Sequence, residues 1–308
     1  MNNETPIDLY LITGFLGSGK TTLVNNLLQS SLGKGSGLLV NDFGDVVVDS
    51  KLIHSEKNLE MFEIAGGSIF CSCKTESLGA ALKEFADLRP EKLIIEASGI
   101  SDPSGMDKIL IDYRLASEFN IAKIITLADA VRTPKLIEII PSVQKQIMAA
   151  DLIILNKCDL VSEEEKNQAI SKLKEYNDEA EIIPTINAKI DIDKLTRNNK
   201  SAHRRGTLAS CNLPGNRPSS TLLTSEKELP KAALDAFLHD QLPNTWRIKG
   251  WIKSDGKWWY ISDNAGRLEW NEETIPDNMT AGLTVITPPG VTEKVEKDWD
   301  IFKEKFIA

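Results

Sequence analysis

Positive charge is scarce in this sequence: 36 Lys and Arg stand against 45 Asp and Glu, a formal net charge of −9. Binding nucleic acid requires a clustered excess of cations to displace counterions from phosphates, so no nucleic-acid partner is expected. The one basic run, "HRRG" at His203 to Gly206, sits in a polar stretch and reads as a solvated loop. Long apolar runs are lacking too. Nothing approaches the roughly 18 apolar residues of a membrane helix, and the opening "MNNETPID" has no apolar signal core. A soluble, cytoplasmic protein with no membrane partner is the expectation. Four cysteines in 308 residues are too few for a disulfide framework in a chain of this size, which points to reduced thiols. The three histidines, His54, His203 and His239, are isolated and form no metal-binding tract. Tryptophan is missing from the first 245 residues, and all six (Trp246, Trp251, Trp258, Trp259, Trp270, Trp299) follow.

That shift in composition divides the chain. From 1 to 190, short apolar runs alternate with helical patterns. Strands are expected at Asp8 to Thr13, Gly37 to Asp42, Lys92 to Ser98, Ala122 to Asp129, Asp151 to Lys157 and Glu181 to Asn187. Helical spacing lies between them in "KTTLVNNLLQSSL" and "SLGAALKEFADL". Uninterrupted Ile, Leu and Val runs alternating with helices predict an α/β, doubly wound parallel sheet, whose ligands bind beyond the carboxyl ends of the strands. Residues 191–230 turn to Asn, Ser, Thr, Arg and Pro and read as a linker or poorly ordered insertion. Residues 231–308 predict a smaller α+β domain, with "GLTVITPPG" a strand and "KVEKDWDIFKEKFI" a closing amphipathic helix. Its aromatics read as core and sheet-face residues, since few cations surround them to make a base-stacking platform.

The first strand runs into "GFLGSGKTT", Gly14 to Thr22, which fits the phosphate-loop pattern G-x-x-x-x-G-K-S/T. Gly14, Gly17, Ser18 and Gly19 let backbone N–H groups close around phosphate oxygens at the start of a helix. Lys20 is expected on the outer phosphates, the Thr21 hydroxyl on Mg²⁺, and Thr22 within the same cradle. "LNKCDL" supplies Asn156, Lys157 and Asp159 as N-K-x-D at a strand end, a pattern whose carboxylate suits the guanine N–H edge. GTP is therefore expected over ATP. Ala188 and Lys189 of "INAK" fall where a backbone N–H would meet the guanine oxygen. In "IIEASGISDP", Glu96 ends a strand as the second Mg²⁺-binding group, and Gly99 sits where it can sense the γ-phosphate. No arginine finger can be assigned; Arg132 and Arg114 are candidates only by their place within this domain.

Together "GFLGSGKTT", "VNDFGDVVVD", "GGSIFCSC", "IIEASGISDP", "ADAV", "LNKCDL" and the late "WRIKGW" resemble the CobW-type GTPases, relatives of the nickel-insertion GTPases of urease and hydrogenase maturation. The resemblance implies a GTPase that delivers metal, or assists cofactor insertion, into a client metalloprotein or cofactor-dependent enzyme. It places the family's N-E-F-G switch on Asn41, Asp42, Phe43 and Gly44, with Asp42 as a catalytic-site acid. The family's G-C-x-C-C falls on Gly67, Ser68, Ile69, Phe70 and Cys71, so two of its cysteines are absent and Cys73 is extra. Cys71 and Cys73, two apart, would face one side of an extended segment and supply two thiolates to Zn²⁺, Co²⁺ or Ni²⁺. Asp42, Asp45, Glu63 or the client would complete such a site. Structural packing and redox sensing are the other readings of the pair. Cys158 and Cys211 have no ligating neighbour. The alternative function is a nucleotide-dependent regulator that remodels a metalloprotein or corrinoid-protein partner and carries no metal; a small-molecule kinase is a third.

Overall fold

The computed structural model describes residues 5–42, 61–65, 75–192, 195, 219–264, 266–273, 275 and 281–306. They fall into two compact units, one on each side of the stretch 196–218. Cys71, Cys73, Phe43, Gly44, Asp45, His54, His203 and Cys211 lie outside the described residues, as do the side chains of Asp42 and Glu63.

The first unit is built on seven strands: β1 (Ile7–Gly14), β2 (Ser36–Asp42), β3 (Met61–Ala65), β4 (Lys92–Glu96), β5 (Phe119–Asp129), β6 (Leu152–Asn156) and β7 (Glu181–Pro184). They order as β3-β2-β4-β1-β5-β6-β7, every pairing parallel. Helices α1 (Lys20–Leu28), α2 (Thr75–Leu88), α3 (Met106–Asp112), α4 (Thr133–Ile139), α5 (Pro141–Met148) and α6 (Glu163–Tyr176) connect them. Alternate residues of one strand feed opposite faces. Leu9 and Leu11 of β1 join Leu82, Phe85, Leu93 and Ile95 on the α2 and α3 side. Tyr10 and Ile12 join Leu23, Leu27, Ile94 and Ile125 on the α1 side. Burial on both faces is why these strands read as continuous apolar runs.

The order places β1 at the centre, with β4 on one flank and β5 on the other. The register pairs Ile12 with Glu96 on one side and Gly14 with Leu127 on the other. From β2 the chain later returns as β4 between β2 and β1, and then crosses to β5 on the far side of β1. The crevice at this reversal is where an open α/β sheet binds its ligand.

The second unit is a five-stranded antiparallel sheet in the order β11-β10-β9-β12-β8. It comprises β8 (Ser219–Leu223), β9 (Arg247–Ser254), β10 (Lys257–Asn264), β11 (Arg267–Glu272) and β12 (Gly282–Thr287). Two helices, α7 (Lys231–Gln241) and α8 (Thr292–Glu304), pack their apolar stripes on it. The tryptophans serve this packing. Trp299 and Phe302 lie against Phe237, Trp270 Nε1 donates to Asp235 at 2.8 Å, and the Lys231 ammonium stands 3.1 Å from the centre of the Trp259 ring.

Two expectations need revision. The stretch 191–230 is not a plain linker: Leu195 is fully buried in the first unit's core, and Ser219–Leu223 pairs with β12 as β8. Its Ser and Thr are compatible with a strand that has one neighbour among the described residues. The strand β3 was not foreseen, because five residues with a central Glu63 carry little periodic signal.

Candidate nucleotide site

Three loops converge at the carboxyl ends of β1, β4, β5 and β6. The first is the glycine-rich turn between β1 and α1. Gly14 and Gly19 have φ of +135° and +107°, where residues with a Cβ are strained. A methyl group on Gly14 would lie 2.3 Å from the Leu127 carbonyl oxygen, and one on Gly19 would lie 2.4 Å from Asn156 Nδ2. The loop therefore packs backbone to backbone against β5 and side chain to backbone against β6. Lys20 is nearly buried, and its Nζ donates to the carbonyls of Gly14 at 3.0 Å and Phe15 at 3.2 Å, across the mouth of the turn. The Ser18 side chain is buried, whereas Thr22 is exposed.

The second loop follows β4. Glu96 is 4% exposed at the strand's last residue, and Thr21 Oγ1 donates to its Oε1 at 2.9 Å. The two residues expected around Mg²⁺ are thus in contact although 75 positions apart. Gly99 lies against the phosphate loop, where a methyl group on it would meet Leu16 Cδ2 at 2.4 Å and the Leu16 backbone nitrogen at 2.8 Å. The loop is fastened from α5: Gln146 Nε2 donates to the carbonyls of Gly99 (3.2 Å) and Ser101 (3.0 Å), while Thr126 Oγ1 donates to the Gln146 carbonyl. The Asp102 carboxylate accepts from the N–H and hydroxyl of Ser104 and closes the turn.

The third region joins the ends of β6 and β7. Asn156, 3% exposed, donates from Nδ2 to the Ser18 carbonyl at 2.9 Å, and its Oδ1 accepts the Ala188 N–H at 2.9 Å. A single amide thus holds the phosphate loop to the loop expected around guanine. Asn26 of α1 adds a second tie, donating to the carbonyls of Asn187 and Ala188 at 3.1 Å each. Lys157 adopts φ +63° and pairs with Asp129 Oδ2 at 2.9 Å. Asp159 is exposed in the short turn that follows, and Lys189 is exposed beside buried Ala188. Cys158, half-buried, donates to the Leu155 carbonyl; burial pushes its thiol pKa up.

Sequence reasoning gave no role to Asp129, Asn26 or Gln146. Asp129 closes β5 as a nearly buried acid, and an acid at a parallel strand's carboxyl end was the available signal. The structure also separates the two arginines. Arg114 precedes β5, whose eleven residues put it about 30 Å from the phosphate loop at ~3.3 Å per residue. Arg132 follows β5 at the loop's own end of the sheet. Asp42 ends β2 with its backbone paired to Ala65, at the same edge as Glu96.

Among the described residues no group of three or more His, Cys, Asp or Glu side chains is placed to hold a metal ion. No described helix is long and apolar enough to cross a membrane.

A glycine-rich turn between the central strand and first helix of a parallel sheet, with Lys20 and Thr21 opening that helix, defines a P-loop nucleoside-triphosphatase fold. The chain belongs to the CobW/HypB/UreG nucleotide-binding domain family, whose model matches residues 8–184. It is 30% identical over 201 residues to the zinc chaperone YjiA of Escherichia coli, covering 63% of this chain and 62% of that one. It is 29% identical over 222 residues to the zinc-regulated GTPase metalloprotein activator 1 of Dictyostelium discoideum, covering 60% and 47%. The matches thus span between about half and three fifths of these relatives' lengths. The crystal structure of Zn(II)-bound YjiA GTPase from E. coli covers 97% of this chain and 99% of its own at 18% identity and TM-score 0.47.

Proposed function

We propose that the protein is a cytoplasmic GTP-binding and GTP-hydrolysing metal chaperone, which couples nucleotide state to delivery of a metal ion into a client metalloprotein. The observation that carries this reading is the Asn156 amide, which ties the phosphate loop at Ser18 to the Ala188 loop, so that the two segments expected to hold phosphate and guanine are joined by one side chain. In this reading Gly14, Gly17, Ser18, Gly19, Lys20, Thr21 and Thr22 hold the phosphates. Asn156, Lys157, Asp159, Ala188 and Lys189 enclose the guanine, and Gly99 and Asp42 belong to segments that respond to the γ-phosphate. The Thr21 hydroxyl and Glu96 carboxylate are hard oxygen donors already in contact, a set that suits Mg²⁺. When bound there, the ion would offset charge on the β- and γ-phosphate oxygens. Lys20, poised on the loop's own carbonyls, would exchange them for phosphate oxygens.

The cargo is proposed from the relatives, which are named as zinc chaperones and a zinc-regulated GTPase. Zn²⁺ is the first candidate and Cys71 and Cys73 the proposed donors, with Co²⁺ and Ni²⁺ as the other ions to compare.

Two measurements test the reading. Fluorescent GDP should bind and be displaced by GTP but not by ATP, and phosphate release from GTP should require Mg²⁺. Zn²⁺ should bind with different affinities in GTP-analogue and GDP states, and a Cys71→Ser/Cys73→Ser variant should lose that binding. Equal displacement by ATP would reject the guanine assignment. Equal zinc affinity in both states would reject coupled delivery and favour the partner-remodelling function.

A further inference from the structure

We infer that Arg132 is a nucleotide-binding residue that engages the phosphate tail from the outer rim of the phosphate loop; this rests on the guanine-nucleotide reading above. A methyl group placed on Gly17 would find Arg132 Nη1 at 3.8 Å and, among the described residues, no other heavy atom outside its chain neighbours within 4 Å. Gly17 has φ +75°. The guanidinium therefore stands beside the middle of the glycine-rich turn, and it is the one described side chain to do so at this distance. This contact joins residues 115 positions apart and depends on β1 and β5 being neighbours in the sheet.

The backbone beneath Arg132 is fixed at both ends. Asp129 Oδ1 accepts the N–H groups of Val131 at 2.8 Å and Arg132 at 3.0 Å, and the Asp129 N–H donates to Thr133 Oγ1 at 2.8 Å. The Arg132 carbonyl accepts from Lys135 and Leu136, and the Ala130 N–H donates to the Asn156 carbonyl at 2.9 Å. The side chain carried on this fixed backbone is half-buried and long enough to reach a ligand in the loop.

The cations nearby divide the work. Lys157 is held by Asp129 Oδ2 at 2.9 Å, and Lys20 spans the inside of the turn on the Gly14 and Phe15 carbonyls. Arg132 contributes a planar fork of N–H donors, which matches phosphate oxygens in pairs where an ammonium acts as a point charge. Its ligand is thus a guanosine polyphosphate, through the phosphates that both GDP and GTP present to the loop. It acts as a ground-state binder. The third residue of "AVR" is assigned by its closeness to Gly17, since Arg114 is equally an arginine of the same domain.

The test uses the full chain with Arg132→Gln and Arg132→Lys, reading displacement of fluorescent GDP by GDP, GTP and guanosine, with the melting midpoint of each nucleotide-free protein as a check on folding. Arg132→Gln is expected to weaken GDP and GTP about tenfold or more and to leave guanosine within twofold, with the nucleotide-free protein still melting cooperatively above the assay temperature. Arg132→Lys should recover part of the loss, and kcat for GTP should change less than KM. Equal weakening of guanosine and GDP, or GDP binding by Arg132→Gln within twofold of the native protein, would overturn the inference. Failure of the native protein to bind GDP would instead refute the nucleotide reading itself.

Discussion

Replacing Asn156 with alanine tests the whole arrangement at one point. The substitution removes a donor from the Ser18 carbonyl and an acceptor from the Ala188 N–H, and Ser18 and Ala188 are both fully buried. Leaving one buried polar group unpaired costs about 1–3 kcal/mol, so the pair amounts to roughly 2–6 kcal/mol, nearer the low end if water enters the space. For a unit of this size each kcal/mol lowers the melting midpoint by about 2–4 °C. The transition to follow is the one that added GDP raises, because ligand stabilises only the unit that binds it. That transition should fall by at least ~4 °C, and GDP affinity should drop at least tenfold, since both loops then lose their shared anchor. Asn156→Asp sharpens the test. A carboxylate still accepts from Ala188 but repels the Ser18 carbonyl, so it should bind GDP no better than the alanine variant. A midpoint within 1 °C of the native protein, together with an affinity within twofold, would show that the bridge does not organise the site.

Other perturbations address the remaining contacts. Glu96→Gln keeps the shape of the Thr21 partner but removes the charge, and should weaken Mg²⁺ about 10–100-fold or more in a Mg²⁺ titration of phosphate release, with GDP binding retained. Gln146→Leu strips two donors from the buried carbonyls of Gly99 and Ser101; hydrogen exchange in residues 97–105 should quicken while the β1 amides stay protected. In a Cys71→Ser/Cys73→Ser/Cys211→Ser background, Cys158 should be alkylated more slowly than a free thiol at neutral pH. Burial raises its pKa above the ordinary value of 9.0, so less of it is thiolate near neutrality, and the rate should go on climbing with pH past the point where an ordinary thiol levels off. Trp299→Ala should destabilise the second unit by about 3–5 kcal/mol, read as a shift in the melting transition that GDP does not raise.

The sheet was legible where strands are buried on both faces, because "DLYLIT", "KLIIEAS" and "DLIILNK" leave no polar residue to break an apolar run. Two edge strands were illegible. Among the described residues Met61–Ala65 pairs with β2 alone and Ser219–Leu223, in the second unit's sheet, with β12 alone, so each tolerates polar residues and looks like loop. The site shows the same division. A phosphate loop is contiguous and its glycines announce the backbone, whereas the residues that brace it are single side chains whose partners are far away in sequence. Asn26 reaches residues 161 and 162 positions on, Gln146 reaches back 47, and Asp129 meets Lys157 after 28. No spacing rule finds such pairs, because the sheet order creates them. The strand direction that separates Arg132 from Arg114 is likewise a property of topology.

That topology also bears on how nucleotide and metal could be coupled. In a parallel sheet every strand delivers its carboxyl end to the same edge, so Asp42 of β2 and Ala65 of β3 finish beside Glu96 of β4. The strand that leads toward Cys71 and Cys73 ends at Ala65, with β2 between it and β4, whose last residue is Glu96. In the proposed function a rearrangement at the phosphates would have to cross only β2 to reach it. Coupling of this kind requires a differential contact in the two nucleotide states, and in the proposed function it would be made by Asp42 and Glu96, which end the paired strands β2 and β4.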